Sequence, residues 1–219
     1  MNKKNLSFVN QILKGYSYEF DLKERSVLSK DDQSFIRLDL DLKSFCNTYC
    51  KRFLLVEEGK LLFKFLQSSK EISIDENNIV NEEGKNFEIK TSNKRTISKE
   101  NFSFDKEIKG SSINLVYNGK VVKSGFLIND LLDIFKDRRN ETDNHFVFIE
   151  LTEDSLLVFD DKTDLPMEKN FLICINKFHR LKTLKKDTKE FISFKTGNNL
   201  FAINYGNSEY RLSYTFKVA

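Results

Sequence analysis

The side chains from which a catalytic or metal site could be assembled are few in this 219-residue sequence: two histidines, three cysteines and some paired aspartates. His145 and His179 each lack a second imidazole or thiolate at metal-ligand spacing, so zinc chemistry through imidazole is not expected. Cys46 and Cys50 stand four apart, which puts both on one face of a helix. Two thiols without a neighbouring histidine make an incomplete site, and they read as small core residues. Asp39 and Asp41 alternate with Leu38, Leu40 and Leu42, the pattern of a strand's solvent face, while Asp160, Asp161 and Asp164 surround a turn before Pro166. Either group could in principle hold magnesium or act as an acid/base pair. The chain has no Gly-x-Gly-x-x-Gly, no Gly-x-x-x-x-Gly-Lys-Ser/Thr and no Gly-x-Ser-x-Gly, so the usual phosphate cradles and the serine-hydrolase turn are missing. The expectation is a protein that is not an enzyme and carries neither metal nor cofactor.

Function must then come from how regular elements present ordinary side chains. Period-two alternation dominates. Tyr16, Tyr18, Phe20 and Leu22 alternate with polar residues, as do Ile36, Leu38, Leu40 and Leu42, and Tyr210, Leu212, Tyr214, Phe216 and Val218; all are expected as half-buried strands. Further strands are expected at 71–75, 86–91, 114–122, 145–151, 155–159, 171–175, 191–195 and 200–205, punctuated by turns at Glu83-Gly84, Asn118-Gly119, Gly197-Asn198 and Gly206-Asn207. Four amphipathic helices are expected at 6–14, 42–53, 127–139 and 176–187, the second capped by Asp41 and the fourth by Asn176. Residues 54–66 stay open between a hairpin and a helix end followed by a strand. A helix followed by strands, then a strand running into a capped helix, occurs once in each half, at 36–53 and again at 171–187. This order predicts an α+β protein of two similar domains, each with antiparallel sheets packed against two short helices, at 1–110 and 111–219. The Lys-, Ser-, Asn- and Glu-rich residues 93–109 suit an exposed connector.

Lys+Arg 36 against Asp+Glu 33 leaves a net charge of +3, about +2 over residues 1–110 and about +1 over 111–219. Neither half is basic enough to hold a polyanion by bulk charge. Three cysteines make no disulfide framework, no apolar run approaches the roughly 18 residues of a membrane span, and no secretory signal follows the basic start. A cytoplasmic protein, in the host cytoplasm if phage-encoded, with no membrane partner, is the expectation. Charge is instead segregated by helix face. Lys14 lies opposite the apolar stripe of the first helix, with Lys3 and Lys4 at its entry. Lys43, Lys51 and Arg52 stand on the second, Lys136 ends the third, and Arg180, Lys182 and Lys186 lie on the fourth. The outward faces of the first, second and fourth helices contain no carboxylate. Such faces would hold DNA through its phosphates without reading bases. The third helix departs from this, because Asp130, Asp133 and Asp137 occupy its outer face.

The stretch Phe35-Ile36-Arg37-Leu38-Asp39-Leu40-Asp41-Leu42-Lys43-Ser44-Phe45 resembles the strand that enters the second helix of DNA sliding clamps. Asn170-Phe171-Leu172-Ile173-Cys174-Ile175-Asn176-Lys177-Phe178, followed by 191–195 and the closing 210–218 strand, resembles the end of their second domain. With the repeated element order, the likeness covers nearly the whole chain as architecture. It is closest to the two-domain clamps of large tailed phages and of archaea and eukaryotes. The resemblance implies a homotrimeric ring of six domains with helices lining the hole, double-stranded DNA within it, and DNA polymerase and a clamp loader as partners. It further implies a partner peptide beneath the connector and edge strands pairing between subunits. The same residues leave open a β-rich phage structural or host-interaction protein, and a nuclease using the aspartate clusters.

Overall fold

The computed structural model describes residues 3–13, 16–21, 24–40, 53–75, 77–110, 113–122, 127–136, 146–159, 171–174, 181, 184 and 191–218. The chain forms two compact units, Met1–Asn101 with Ser208–Tyr214, and Phe102–Asn207 with Thr215–Ala219.

In the first unit, α1 (Lys3–Ile12) leads into β1 (Tyr18–Asp21), β2 (Ser26–Lys30) and β3 (Ser34–Leu40). Then come β4 (Phe53–Val56), α2 (Gly59–Ser68), β5 (Ile72–Asp75), β6 (Asn78–Asn81), β7 (Asn86–Glu88) and β8 (Lys90–Ser92). The strands lie in the order β8-β4-β1-β2-β3, antiparallel throughout, and β5-β6-β7 make a separate three-stranded sheet. Leu6, Val9 and Ile12 are buried on the inner face of α1, as is Leu13 just beyond its end, and the Phe8 ring meets Tyr210 at 4.8 Å between centroids.

Strand β1 departs from the half-buried expectation, since all four of its residues are buried. Tyr18 and Phe20 fill the core, and the Tyr18 hydroxyl donates to Asn10 Oδ1 of α1 at 3.2 Å. The opposite face carries Glu19 and Asp21, which residues 95–97 cover. Glu19 accepts from the Thr96 amide and hydroxyl, and Arg95 pairs with Asp21. A polar strand face is tolerable in the interior when its carboxylates are met by donors in this way. On the more open β3, Arg37 pairs with Asp39 at 3.0 Å. Asp39 therefore sits in a surface ion pair, while Asp41 and the Asp160, Asp161 and Asp164 group lie outside the described residues.

The second unit runs β9 (Lys106–Lys109), β10 (Asn114–Tyr117), β11 (Lys120–Val122), α3 (Leu127–Lys136), β12 (Phe146–Leu151), β13 (Ser155–Phe159), β14 (Phe171–Cys174), β15 (Phe191–Gly197) and β16 (Leu200–Gly206). The final strand, β17 (Tyr210–Lys217), gives its first residues to the first unit and its last to the second. Here β11-β10-β13-β12-β14 form one sheet, whose β10 and β13 are parallel, and β16, β15 and β9 lie side by side in another. Gly197 is packed so closely that a Cβ there would stand 2.8 Å from the Asp105 backbone nitrogen and 2.9 Å from Phe104 Cα. Residues 106–109, expected as connector, are strand β9.

Sheet pairing shows where the repeat lies. In the first unit α1 precedes the β1–β2 hairpin and β4 flanks β1, with Tyr18 opposite Val56. In the second, α3 precedes the β12–β13 hairpin and β14 flanks β12, with Phe146 opposite Cys174. The counterpart of β14 is thus β4, whereas the sequence order had matched it to the strand ending at Leu42. Phe53, expected to close a helix, begins that strand.

Candidate nucleic-acid interface

Helix α2 settles the segment that the sequence left open. Val56 ends β4, Glu57 and Glu58 make the turn, and ten residues of helix follow. Leu62 and Leu66, four apart, are buried and dock α2 onto the first unit, where α1 and α2 pack against each other. Gly59 permits the approach. A Cβ on it would stand 3.2 Å from the Tyr16 carbonyl oxygen and 3.3 Å from Asn10 Oδ1, so the start of α2 sits directly against the end of α1. With Leu62 and Leu66 inward, Lys60, Lys64 and Gln67 face solvent. Neither lysine has an ion-pair partner among the described residues.

Helix α1 adds Lys3 and Ser7, both half-buried, and exposed Gln11. Neither helix contains a carboxylate. Opposing charges flank the helices: Glu57 and Glu58 lie in the turn that opens α2, and Glu82 accepts from the backbone amides of Lys70 and Glu71 at 2.8 and 3.0 Å. Those two bonds hold its carboxyl below the ordinary carboxylate value, and the Lys3 ammonium adds a smaller effect of the same sign. The two helices themselves carry lysines and amides and no carboxylate, a chemistry suited to contacting a phosphate backbone without sequence preference.

Of the cations picked out by helix face, Lys3 and Lys4 stand in α1 and Lys136 ends α3. Lys14, Lys43, Lys51, Arg52, Arg180, Lys182 and Lys186 lie outside the described residues, as do Cys46, Cys50, His145 and His179. Lys60 and Lys64 were not among the sequence candidates, although their spacing beside Leu62 and Leu66 carried the signal; the glycine and acidic turn before them disguised it. Helix α3 differs in kind, with Asp133 exposed on its outer face. Among the described residues no group of three or more histidine, cysteine or carboxylate side chains could hold a metal ion, and no helix is long and apolar enough to cross a membrane.

No family model and no curated protein matches this sequence. Solved structures do match in fold. Proliferating Cellular Nuclear Antigen from Entamoeba histolytica superposes with a TM-score of 0.62 at 10% identity, over 100% of this chain and 96% of that one. The DNA polymerase III β sliding clamp of Pseudomonas aeruginosa, solved with griselimycin, gives 0.60 at 11% identity over 100% and 63%. The Helicobacter pylori β clamp bound to a DNA ligase peptide gives 0.58 at 10% identity over 100% and 65%. The chain spans under two thirds of the length of these bacterial clamps and nearly all of the Entamoeba protein.

Proposed function

We propose that this chain, whose fold is that of the sliding clamps, encircles duplex DNA as a ring and tethers a replicative polymerase to it. The observation that carries the reading is the fold match over the entire chain and 96% of the Entamoeba protein. The carboxylate-free faces of α1 and α2 support it, because a ring needs only a weakly basic inner surface. Enclosure supplies retention, and tight phosphate binding would impede sliding. A net charge of +3 suits that task better than it suits a conventional DNA-binding domain.

In this reading the protein is non-catalytic, three chains of two clamp-like domains each (1–110 and 111–219) close the ring, and a clamp loader opens it. Lys3, Lys4, Lys60 and Lys64, with Lys14, Lys43, Lys51, Arg52, Lys136, Arg180, Lys182 and Lys186, supply the cations that face phosphates. The H. pylori clamp holds a ligase peptide, and a comparable peptide of the polymerase is the tether we propose here.

Sedimentation equilibrium and a DNA-topology assay test the proposal together. The expected results are a species of three times 25.7 kDa, and loaded protein that stays on nicked circular DNA in high salt but is lost once the circle is cut. A monomer at micromolar concentration, or equal retention on linear and circular DNA, would overturn it.

A further inference from the structure

The helix pair of the proposed interface holds one polar residue that cannot meet a phosphate. Leu6, Val9, Asn10 and Leu13 fall at i, i+3, i+4 and i+7, the spacing of an apolar stripe, and all four are buried. Asn10, at 0% accessible, is the most completely buried polar side chain among the described residues. Its amide lies where three elements meet. Asn10 itself belongs to α1, and its Oδ1 accepts from the Tyr18 hydroxyl of β1 at 3.2 Å. The Cβ that Gly59 lacks would stand 3.3 Å from the same oxygen, so α2 starts directly against it. Tyr18 is also fully buried, and burial pushes its hydroxyl well above the ordinary value, so the group stays protonated and can donate. Asn10 Nδ2 has no hydrogen-bond partner among the described residues.

A buried amide met on one side only costs stability, because it gives up hydrogen bonds to water that nothing replaces in full. What it adds is discrimination between packings. Two short helices that meet through leucine, valine and isoleucine lose little apolar contact on slipping by one turn. A slip that draws Asn10 away from Tyr18 leaves amide and hydroxyl both unmet in the interior, so a single seat is selected, as a lone buried asparagine selects register in a coiled coil. The slip also matters for charge. The start of α2 lies at the end of α1. Glu82, whose carboxyl is lowered first by the amides of Lys70 and Glu71 just past the end of α2, also feels the Lys3 ammonium at the start of α1. The two helices therefore run with opposite polarity. One turn of slip would carry Lys3 past Lys60 and Lys64 by about 5.4 Å, more than the roughly 3.4 Å rise between successive phosphates of one strand.

We propose that Asn10 is a positioning residue, whose bond to Tyr18 fixes the one seat in which α1 and α2 lie together and so sets the spacing of Lys3 from Lys60 and Lys64. The seat stands on the geometry of the first unit alone, whereas its use in holding phosphates rests on the clamp reading.

The test compares two variants. Tyr18→Phe removes the partner hydroxyl and keeps the shape; Asn10→Val with Tyr18→Phe removes both polar groups, and the valine is too short to press on Gly59. Tyr18→Phe is expected to lower the melting temperature and the double variant to regain it, since an unmet buried group costs more than an absent pair. In both, the backbone amide resonances of residues 3–12 and 59–68 are expected to split or broaden, while those of β2 and β3 stay as in wild type. Stability that returns without a single seat separates positioning from mere support, because a residue that only stabilised the unit would restore both together. One wild-type set of resonances for the two helices in the double variant would overturn the proposal. Broadening that spreads through β2 and β3, or failure of both variants to fold, would do so too, since Asn10 would then hold the whole unit. Binding of the double variant to short duplexes across a salt series reads the use of the seat, with the slope of log affinity against log salt expected to fall by about 1 as Lys3 leaves its place. Split helix resonances with an unchanged slope would leave the seat standing and remove these lysines from the nucleic-acid interface.

Discussion

Glu24 lies where residues 93–101 meet the strands of the first unit. It accepts from Lys99 Nζ at 2.8 Å, and Arg95 stands 3.4 Å from it. The Lys99 hydrogen bond is the main reason its carboxyl titrates below the ordinary value of 4.5. Glu100, paired with Lys30, is lowered in the same way, chiefly by that lysine's hydrogen bond. A folded-state value below the unfolded one contributes stability that is complete above pH 4.5 and is lost as pH falls through the folded value. Both pairs are open to water, so each contributes little alone. Replacing Lys99→Ala is expected to move the Glu24 midpoint back up towards 4.5 in a carboxyl carbon-13 NMR titration while leaving Glu100 in place. An unmoved Glu24 would mean that its low value has another origin. No local pattern marks these carboxylates as having partners. Arg95 and Lys99 lie more than 70 positions from Asp21 and Glu24, and only the folded chain brings the segment back across β1.

At the scale of elements, α2 offers the sharpest test of the basic helix faces. Replacing Lys60→Glu and Lys64→Glu together on the exposed side of a helix held by Leu62 and Leu66 is expected to leave stability within about 0.5 kcal/mol. If both lysines meet phosphates, their loss lowers the slope of log affinity against log salt by about 2. Equilibrium binding to short duplexes across a salt series would read it, and an unchanged slope would remove α2 from the interface. Alternation marked the positions of β3 and β12 to β17 correctly, because period two survives whichever neighbours a strand acquires, but it passed over β2, Ser26–Lys30. It could not say that β1 is covered on both sides, since the cover comes from residues 95–97. Nor could it locate α2, where a glycine required for close approach looked like the centre of a turn. The apolar stripe of α1 was plain in the sequence, whereas most of the cations assigned to helix faces belong to segments outside the described residues.

For the whole molecule, the consequential feature is the division of β17. Tyr210, Leu212 and Tyr214 are buried and belong with the first unit, although more than 100 residues of the second unit separate them from Asn101. A chain ending at residue 101 would leave Phe8 without its Tyr210 neighbour, and such a fragment is expected to lack a cooperative urea transition by tyrosine fluorescence. A sharp two-state transition in the fragment would show that β17 is dispensable to it.

This arrangement also imposes a schedule on biosynthesis. A ribosome adding roughly 5–20 residues per second needs on the order of 5–20 s after residue 101 to produce residue 214. Through that interval the nascent first half lacks its last strand and keeps apolar surface uncovered. Chaperone occupancy on translating ribosomes should therefore persist across synthesis of the whole second half and fall only when the final strand emerges.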